Sequence, residues 1–134
     1  MSKVIKLSKN FSVIEWQCKC GCNQCIINDR LVDAMQSLRD FVGRQILIHC
    51  VNRCEDHNHA IGGVKGSKHT VGLAADFHVR GMDNEELHEI VKNNKFGFSG
   101  IGLYRWGCHV DTREGPYAFW REHDKKSKRK STTT

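Results

Sequence analysis

An α+β architecture is what this sequence predicts: a single small domain whose short, largely antiparallel sheet is flanked by helices. Three observations lead there. The chain has 134 residues and 39% hydrophobic content, which suits one modest core. Stretches of helical periodicity come first, and apolar runs of strand length follow, separated by further helix. No segment repeats, and no apolar run approaches the roughly 20 residues that span a bilayer.

Each element has a local reason. Ser12-Val13-Ile14-Glu15 has the form of a capping box, with Phe11 ahead of it as a hydrophobic staple, and predicts a short helix running into a cysteine-rich loop. Asn28 or Asp29 caps a longer helix in which Leu31, Met35, Leu38 and Val42 recur on one face, and Gly43 ends it. Residues 45–51 read as a buried strand. Residues 52–72 are polar, glycine-bearing and rich in histidine, which predicts a functional loop region containing a short helix. A second strand is expected over residues 73–79, and Asp83 caps a helix striped by Leu87, Ile90 and Val91. Two more strands fall near residues 100–104 and 108–112, ahead of the aromatic stretch 117–121.

The formal charge of +6 is unevenly placed. Lys125, Lys126, Lys128, Arg129 and Lys130 lie in the last ten residues, so residues 1–124 carry only +1. We therefore divide the chain into a near-neutral domain, 1–124, and a basic tail, 125–134, whose composition predicts disorder. Such a tail is either simply solvated or attracted to a polyanion such as nucleic acid or cell wall. The domain itself gives no reason to propose nucleic acid. Residues 1–7 hold no apolar stretch of signal-peptide length, so no export address is expected.

Seven cysteines cannot all pair with one another. Cys18, Cys20, Cys22 and Cys25 are dense enough to hold a structural zinc, although such sites usually draw two pairs from separate segments, which would call on Cys50 or Cys54. The alternative is a set of small buried or idle thiols, with Cys108 among them.

The richest chemistry lies in Ser67-Lys68-His69-Thr70-Val71-Gly72-Leu73-Ala74-Ala75-Asp76. His69 sits at a loop end and Asp76 in a strand, with Gly72 permitting a tight turn between them. Thirty-three positions after Asp76 comes His109, followed by Asp111 and Arg113 on the same strand face. Two histidines and a carboxylate leave zinc a fourth position for water, the requirement of a hydrolytic site. On spacing alone, a lone His or Asp in a strand is more often a packed or surface residue than a ligand.

The string S-x-H-x-x-G-x-A-x-D followed by H-x-D resembles the zinc D-Ala-D-Ala carboxypeptidase family. That family shares its metal site with the hedgehog signalling domain and with phage L-alanyl-D-glutamate endolysins. The resemblance covers residues 11–113. It includes the cysteine-rich opening from Phe11-Ser12 to Cys22, and Arg53-Cys54-Glu55-Asp56-His57-Asn58 followed by Gly62-Gly63, both similar to the small phage and bacterial branch. It implies a hedgehog/DD-peptidase-like fold with zinc on His69, Asp76 and His109. It also implies that Arg53 holds the substrate's carboxylate or carbonyl and serves catalysis, a task suited to a forked guanidinium. Ser67 either contacts the peptide or shapes the loop.

Two departures stand out. Related enzymes place a catalytic carboxylate three residues before the last histidine, where this chain has Trp106. Asp111 is the replacement its strand face offers; otherwise it orients a ligand or pairs with Arg113. The segment before the arginine is Cys50-Val51-Asn52, so the substrate wall differs. His57 and His59 are near enough to line a cleft, His78 shares a face with Asp76, and Tyr104, Trp106 and Trp120 are candidates for a groove border. His49, His88 and His123 have no evident partner.

The resemblance thus implies a zinc-dependent peptidase hydrolysing peptidoglycan stem peptides, as a carboxypeptidase or an endolysin-type endopeptidase encoded by a phage. It would be a monomer without membrane insertion or nucleic-acid partner. It would be made in the host cytoplasm and reach the wall after holin release or as a virion component. The alternative, which Trp106 favours, is a non-catalytic zinc-stabilised module that binds cell wall or serves structurally.

Overall fold

The computed structural model describes residues 5–122. The expected boundary at residue 124, the basic segment 125–134 and His123 lie outside the described residues.

Lys6–Ser8 (β1) and Phe11–Ser12 (β2) pair as an antiparallel ribbon, which periodicity did not suggest. Val13–Trp16 (α1) begins where the capping box predicts: the Ser12 backbone N–H donates to Glu15 Oε1 at 2.9 Å. The staple is present too, Phe11 meeting buried Trp16 edge to face at 5.4 Å between ring centroids. Asp29–Val42 (α2) is capped by Asn28, whose Oδ1 accepts from the Leu31 N–H at 2.9 Å, and it closes at Gly43. Its Leu31, Val32, Ala34, Met35 and Leu38 are buried.

The main sheet comprises Ile46–Cys50 (β3), Ala74–Val79 (β4), Gly100–Tyr104 (β5), Gly107–Asp111 (β6) and Ala118–Arg121 (β7), in the order β3-β4-β6-β5-β7. Its first four strands are antiparallel, and β7 adds to the edge parallel to β5. Glu55–Ala60 (α3) and a 3-10 turn over Lys68–Val71 occupy the histidine-rich region; Asn84–Asn93 (α4) follows β4, with Asp83 Oδ2 accepting from the Glu85 and Glu86 N–H groups. The α+β expectation therefore holds.

Alternation along the strands divides the sheet into two faces. Ala75, Phe77, Val79, Ile101, Cys108 and Val110 join Leu87 and Val91 of α4 and the apolar face of α2 in one core. The opposite face carries Asp76, His78, His109 and Asp111. A bulge gives β3 an extra residue on this side: Ile48 pairs with Phe77 and Cys50 with Asp76, which leaves His49 unmatched between them.

Candidate metal centre

The antiparallel register of β4 and β6 sets Asp76 directly opposite His109, and Ala74 opposite Asp111, on the face away from the core. His69 arrives from the 3-10 turn. Ser67 Oγ caps that turn by accepting the His69 N–H at 3.2 Å, and Gly72 (φ 72°) ends it in the left-handed region. A Cβ at Gly72 would lie 2.6 Å from the Ile26 carbonyl oxygen, so close approach as well as backbone conformation calls for glycine there.

The three side chains converge as the resemblance implies. Asp76 Oδ1 is 2.8 Å from His109 Nδ1, and its Oδ2 is 3.1 Å from His69 Nε2. One ligand atom from each of His69, Asp76 and His109 lies within 4.8 Å of the others. The far side of each ring is fixed. His69 Nδ1 donates to the Val51 carbonyl at 3.0 Å, and His109 Nε2 donates to Asp111 Oδ2 at 2.9 Å. Each ring's remaining nitrogen is thereby aimed at the centre, the outer-shell arrangement that presents imidazole lone pairs to a metal.

Electrostatics follow from this geometry. Burial opposes charge on His69, but the Asp76 carboxylate and the Cys50 thiol outweigh it and hold its pKa up at about 10. Burial likewise opposes charge on His109, and Asp111 and Asp76 raise it nonetheless. Asp76 is pulled down to about 2 by His109 and His69 against the opposing effect of burial. A metal ion held by His69, Asp76 and His109 would compete with protons for the same side chains.

Residues 9–111, which contain all three of these side chains, match the family model described as Peptidase M15. The chain belongs to the Peptidase M15 family. That bears out the resemblance read from the motifs, and the family supports a zinc-dependent metallopeptidase. No curated protein matches the chain. Two imidazoles and a carboxylate on a partly open face suit zinc, with room for a further ligand.

In this M15 chain Arg53 lies beside the centre. Its backbone N–H donates to the His69 carbonyl at 3.1 Å; its Nε donates to Asn58 Oδ1 at 2.9 Å, and one Nη to Ser67 Oγ at 3.1 Å. Those acceptors are neutral, and among the described residues Arg53 has no carboxylate partner. Ser67 therefore shapes the loop and steadies Arg53 at once.

Asp111 does not fit the acid–base role expected of it. It is fully buried, and both oxygens are engaged: Oδ2 accepts from His109 and from Arg113 at 2.8 Å, Oδ1 from Arg113 Nε at 2.8 Å. Burial acts against its charge, but Arg113 and His109 hold the carboxyl well below the usual range. Its surroundings are those of the stated alternative, a partner that orients His109 and pairs with Arg113. Gly100, opposite Asp111 on β5, leaves the space the carboxylate occupies.

Beside the centre, a cleft is lined by His49, Asp76 and Trp106. His49, which the sequence left without a partner, has its Nε2 2.7 Å from His78 Nδ1, and its ring packs 5.6 Å from that of Trp106. Tyr104 stacks on Trp106 and accepts from Trp120 Nε1 at 2.8 Å, while Trp120 lies 5.5 Å from the His109 ring. These aromatics border the site as anticipated. His57 and His59 sit on α3, and His88 is buried in α4 away from the site.

The cysteine expectation needs correction. Cys25 does not join Cys18, Cys20 and Cys22; it packs partly buried against the core, and Cys54 takes its place in the cluster. Cys50 stands 3.6 Å from His69 Nδ1, and Cys108 is buried in the core.

Proposed function

We propose that this M15 protein hydrolyses peptide bonds in peptidoglycan stem peptides, with zinc on His69, Asp76 and His109. The observation that carries the reading is the inward aim of the two imidazoles, set by Val51 and Asp111, next to an arginine that has no carboxylate partner among the described residues. Zinc, when bound, supplies Lewis acidity that acidifies water and polarises the scissile carbonyl.

The chain's own residues do the rest. Arg53, held by Asn58 and Ser67, presents its charge to a carboxylate of the stem peptide. His49 is the proton carrier. Partial desolvation first, then the neighbouring His78, lowers its pKa, which favours the neutral ring that can accept a proton in the cleft it shares with Asp76. It takes the proton of the attacking water as the C–O bond forms, and returns it to the amine as the C–N bond breaks. Its ring packs on Trp106, the position where related enzymes keep their carboxylate. Asp111 orients His109 and takes no proton. We assign the protein a phage origin and action on the wall after release from the host cytoplasm or from within the virion.

Mass spectrometry of muropeptides tests this. New peptide termini with wild type and none with His69→Ala are expected; unchanged cleavage by His69→Ala sinks the reading. Trp106 favours the second reading, a zinc-stabilised wall-binding module, for which zinc content without turnover on any wall substrate would be the result.

A further inference from the structure

We infer that Cys18, Cys20, Cys22 and Cys54 form a second metal centre, a tetrathiolate zinc site that ties the loop after α1 to the start of α3. The inference is independent of the peptidase reading, since none of its ligands belongs to the hydrolytic centre.

Four Sγ atoms, one from each cysteine, lie within 4.8 Å of one another. Cys18 and Cys20 are 3.5 Å apart, and Cys20 and Cys54 are 3.6 Å apart. A tetrahedral ion with Zn–S near 2.3 Å requires an S···S edge of about 3.8 Å, so little adjustment is needed. Three of the sulfurs already receive backbone donors: Cys54 N–H to Cys18 Sγ at 3.3 Å, Gln24 N–H to Cys22 Sγ at 3.4 Å, and His57 N–H to Cys54 Sγ at 3.4 Å. Such donors stabilise sulfur as thiolate, the form that binds metal. Cys20 and Cys22 are exposed and Cys18 is buried, which gives the ion a way in and a fixed floor.

The loop also has need of the ion. Residues 17–28 carry no helix or strand; Asn52 holds the carbonyls of Trp16 and Ile26 and the Ile26 N–H, and Cys25 packs against the core. Cys54 follows Arg53 and caps α3. A soft divalent cation on the four thiolates closes a link from residue 18 to residue 54 and fixes the backbone that carries Arg53. The ligand pattern, three cysteines from one turn and one from a helix cap, selects zinc over hard oxygen-seeking cations.

The test uses reduced full-length protein, with cobalt(II) alone as probe and metal analysis after zinc loading. Wild type and His69→Ala are expected to develop thiolate-to-cobalt charge-transfer absorption, with two zinc equivalents in wild type and one in His69→Ala. Cys22→Ser and Cys54→Ser should each weaken cobalt binding at least tenfold, and Cys25→Ser should match wild type. Serine is itself a strong helix cap, so Cys54→Ser separates the metal role from the capping role. Absence of the charge-transfer band in reduced wild type overturns the site. So does a band that survives Cys54→Ser but is lost in Cys25→Ser. Cleavage is not measured, and the charge-transfer band reports the thiolates alone, so failure of the peptidase reading would change the zinc stoichiometry but leave the band and its dependence on Cys22 and Cys54 standing.

Discussion

Gly100→Ala adds one methyl group to a residue that ligates nothing, yet it should damage the metal centre. The new Cβ would lie 2.3 Å from Asp111 Oδ1 and 2.5 Å from Oδ2, where ordinary contact begins near 3.4 Å. Asp111 must therefore retreat by about 1 Å. Its bonds to Arg113, at 2.8 Å, and to His109, at 2.9 Å, would then pass out of hydrogen-bonding range. His109 loses the acceptor that aims its Nδ1 inward, and such outer-shell losses typically weaken metal binding about 10–100-fold. Overpacking of this kind costs about 1–3 kcal/mol. At roughly 4 °C per kcal/mol for a chain of this size, Tm should fall by about 4–12 °C. Zinc affinity is read by competition against a chromophoric chelator, with His109→Ala as the reference for a lost site, and Tm by thermal melts. Wild-type affinity together with an unchanged Tm would refute the reasoning.

Further outcomes follow from the same geometry. Asp111→Asn should weaken zinc binding about 10–100-fold, whereas His49→Gln should keep zinc and lose about 10²–10⁴-fold in kcat; a reversed pattern would return the proton-carrying role to Asp111. Arg53→Lys should raise KM for a stem peptide with a free carboxylate about tenfold or more, because an ammonium cannot reproduce the fork held by Asn58 and Ser67; steady-state kinetics with an amidated peptide as control decides it. Metal-free protein should show a pH-dependent Tm advantage over Asp76→Asn. Asp76 is lowered from 3.8 to about 2, so its contribution is complete above 3.8 and lost as pH falls through 2. His69 is raised from 6.5 to about 10, so its contribution is complete below 6.5 and lost as pH rises through 10. The advantage should therefore be greatest between pH 3.8 and 6.5, and a minimum there would contradict the assigned couplings.

What the sequence made legible was local. Ser12 with Glu15, Asn28 and Asp83 are caps whose partners lie within three residues, and all three helices start where those signals stand. The candidate metal ligands were legible through the ordered motif, since spacing alone leaves His69, Asp76 and His109 as ordinary side chains. What stayed hidden depends on pairing across the chain. The β1–β2 ribbon is too short for periodicity, and β7 lacks alternation because it lies at the sheet edge beside β5. That a second segment, Cys50 or Cys54, would complete the cysteine cluster was legible, but the choice of Cys54 over Cys25 and Cys50 depends on the backbone at residue 54 returning to the loop, where its N–H donates to Cys18 Sγ. His49 faces the cleft because of a one-residue bulge opposite Asp76, which leaves no mark in composition. Asp111 shares the face of His109 as strand alternation required, but only the depth of the sheet shows its oxygens fully occupied.

The central claim is that zinc on His69, Asp76 and His109 makes this M15 protein a peptidase of cell-wall stem peptides. The most direct measurement is mass spectrometry of muropeptides digested by wild type, by chelated protein, by chelated protein resupplied with zinc, and by His69→Ala. New peptide termini are expected with wild type, with loss on chelation, return with zinc, and none with His69→Ala. Termini that persist at the wild-type rate after chelation or in His69→Ala would contradict it.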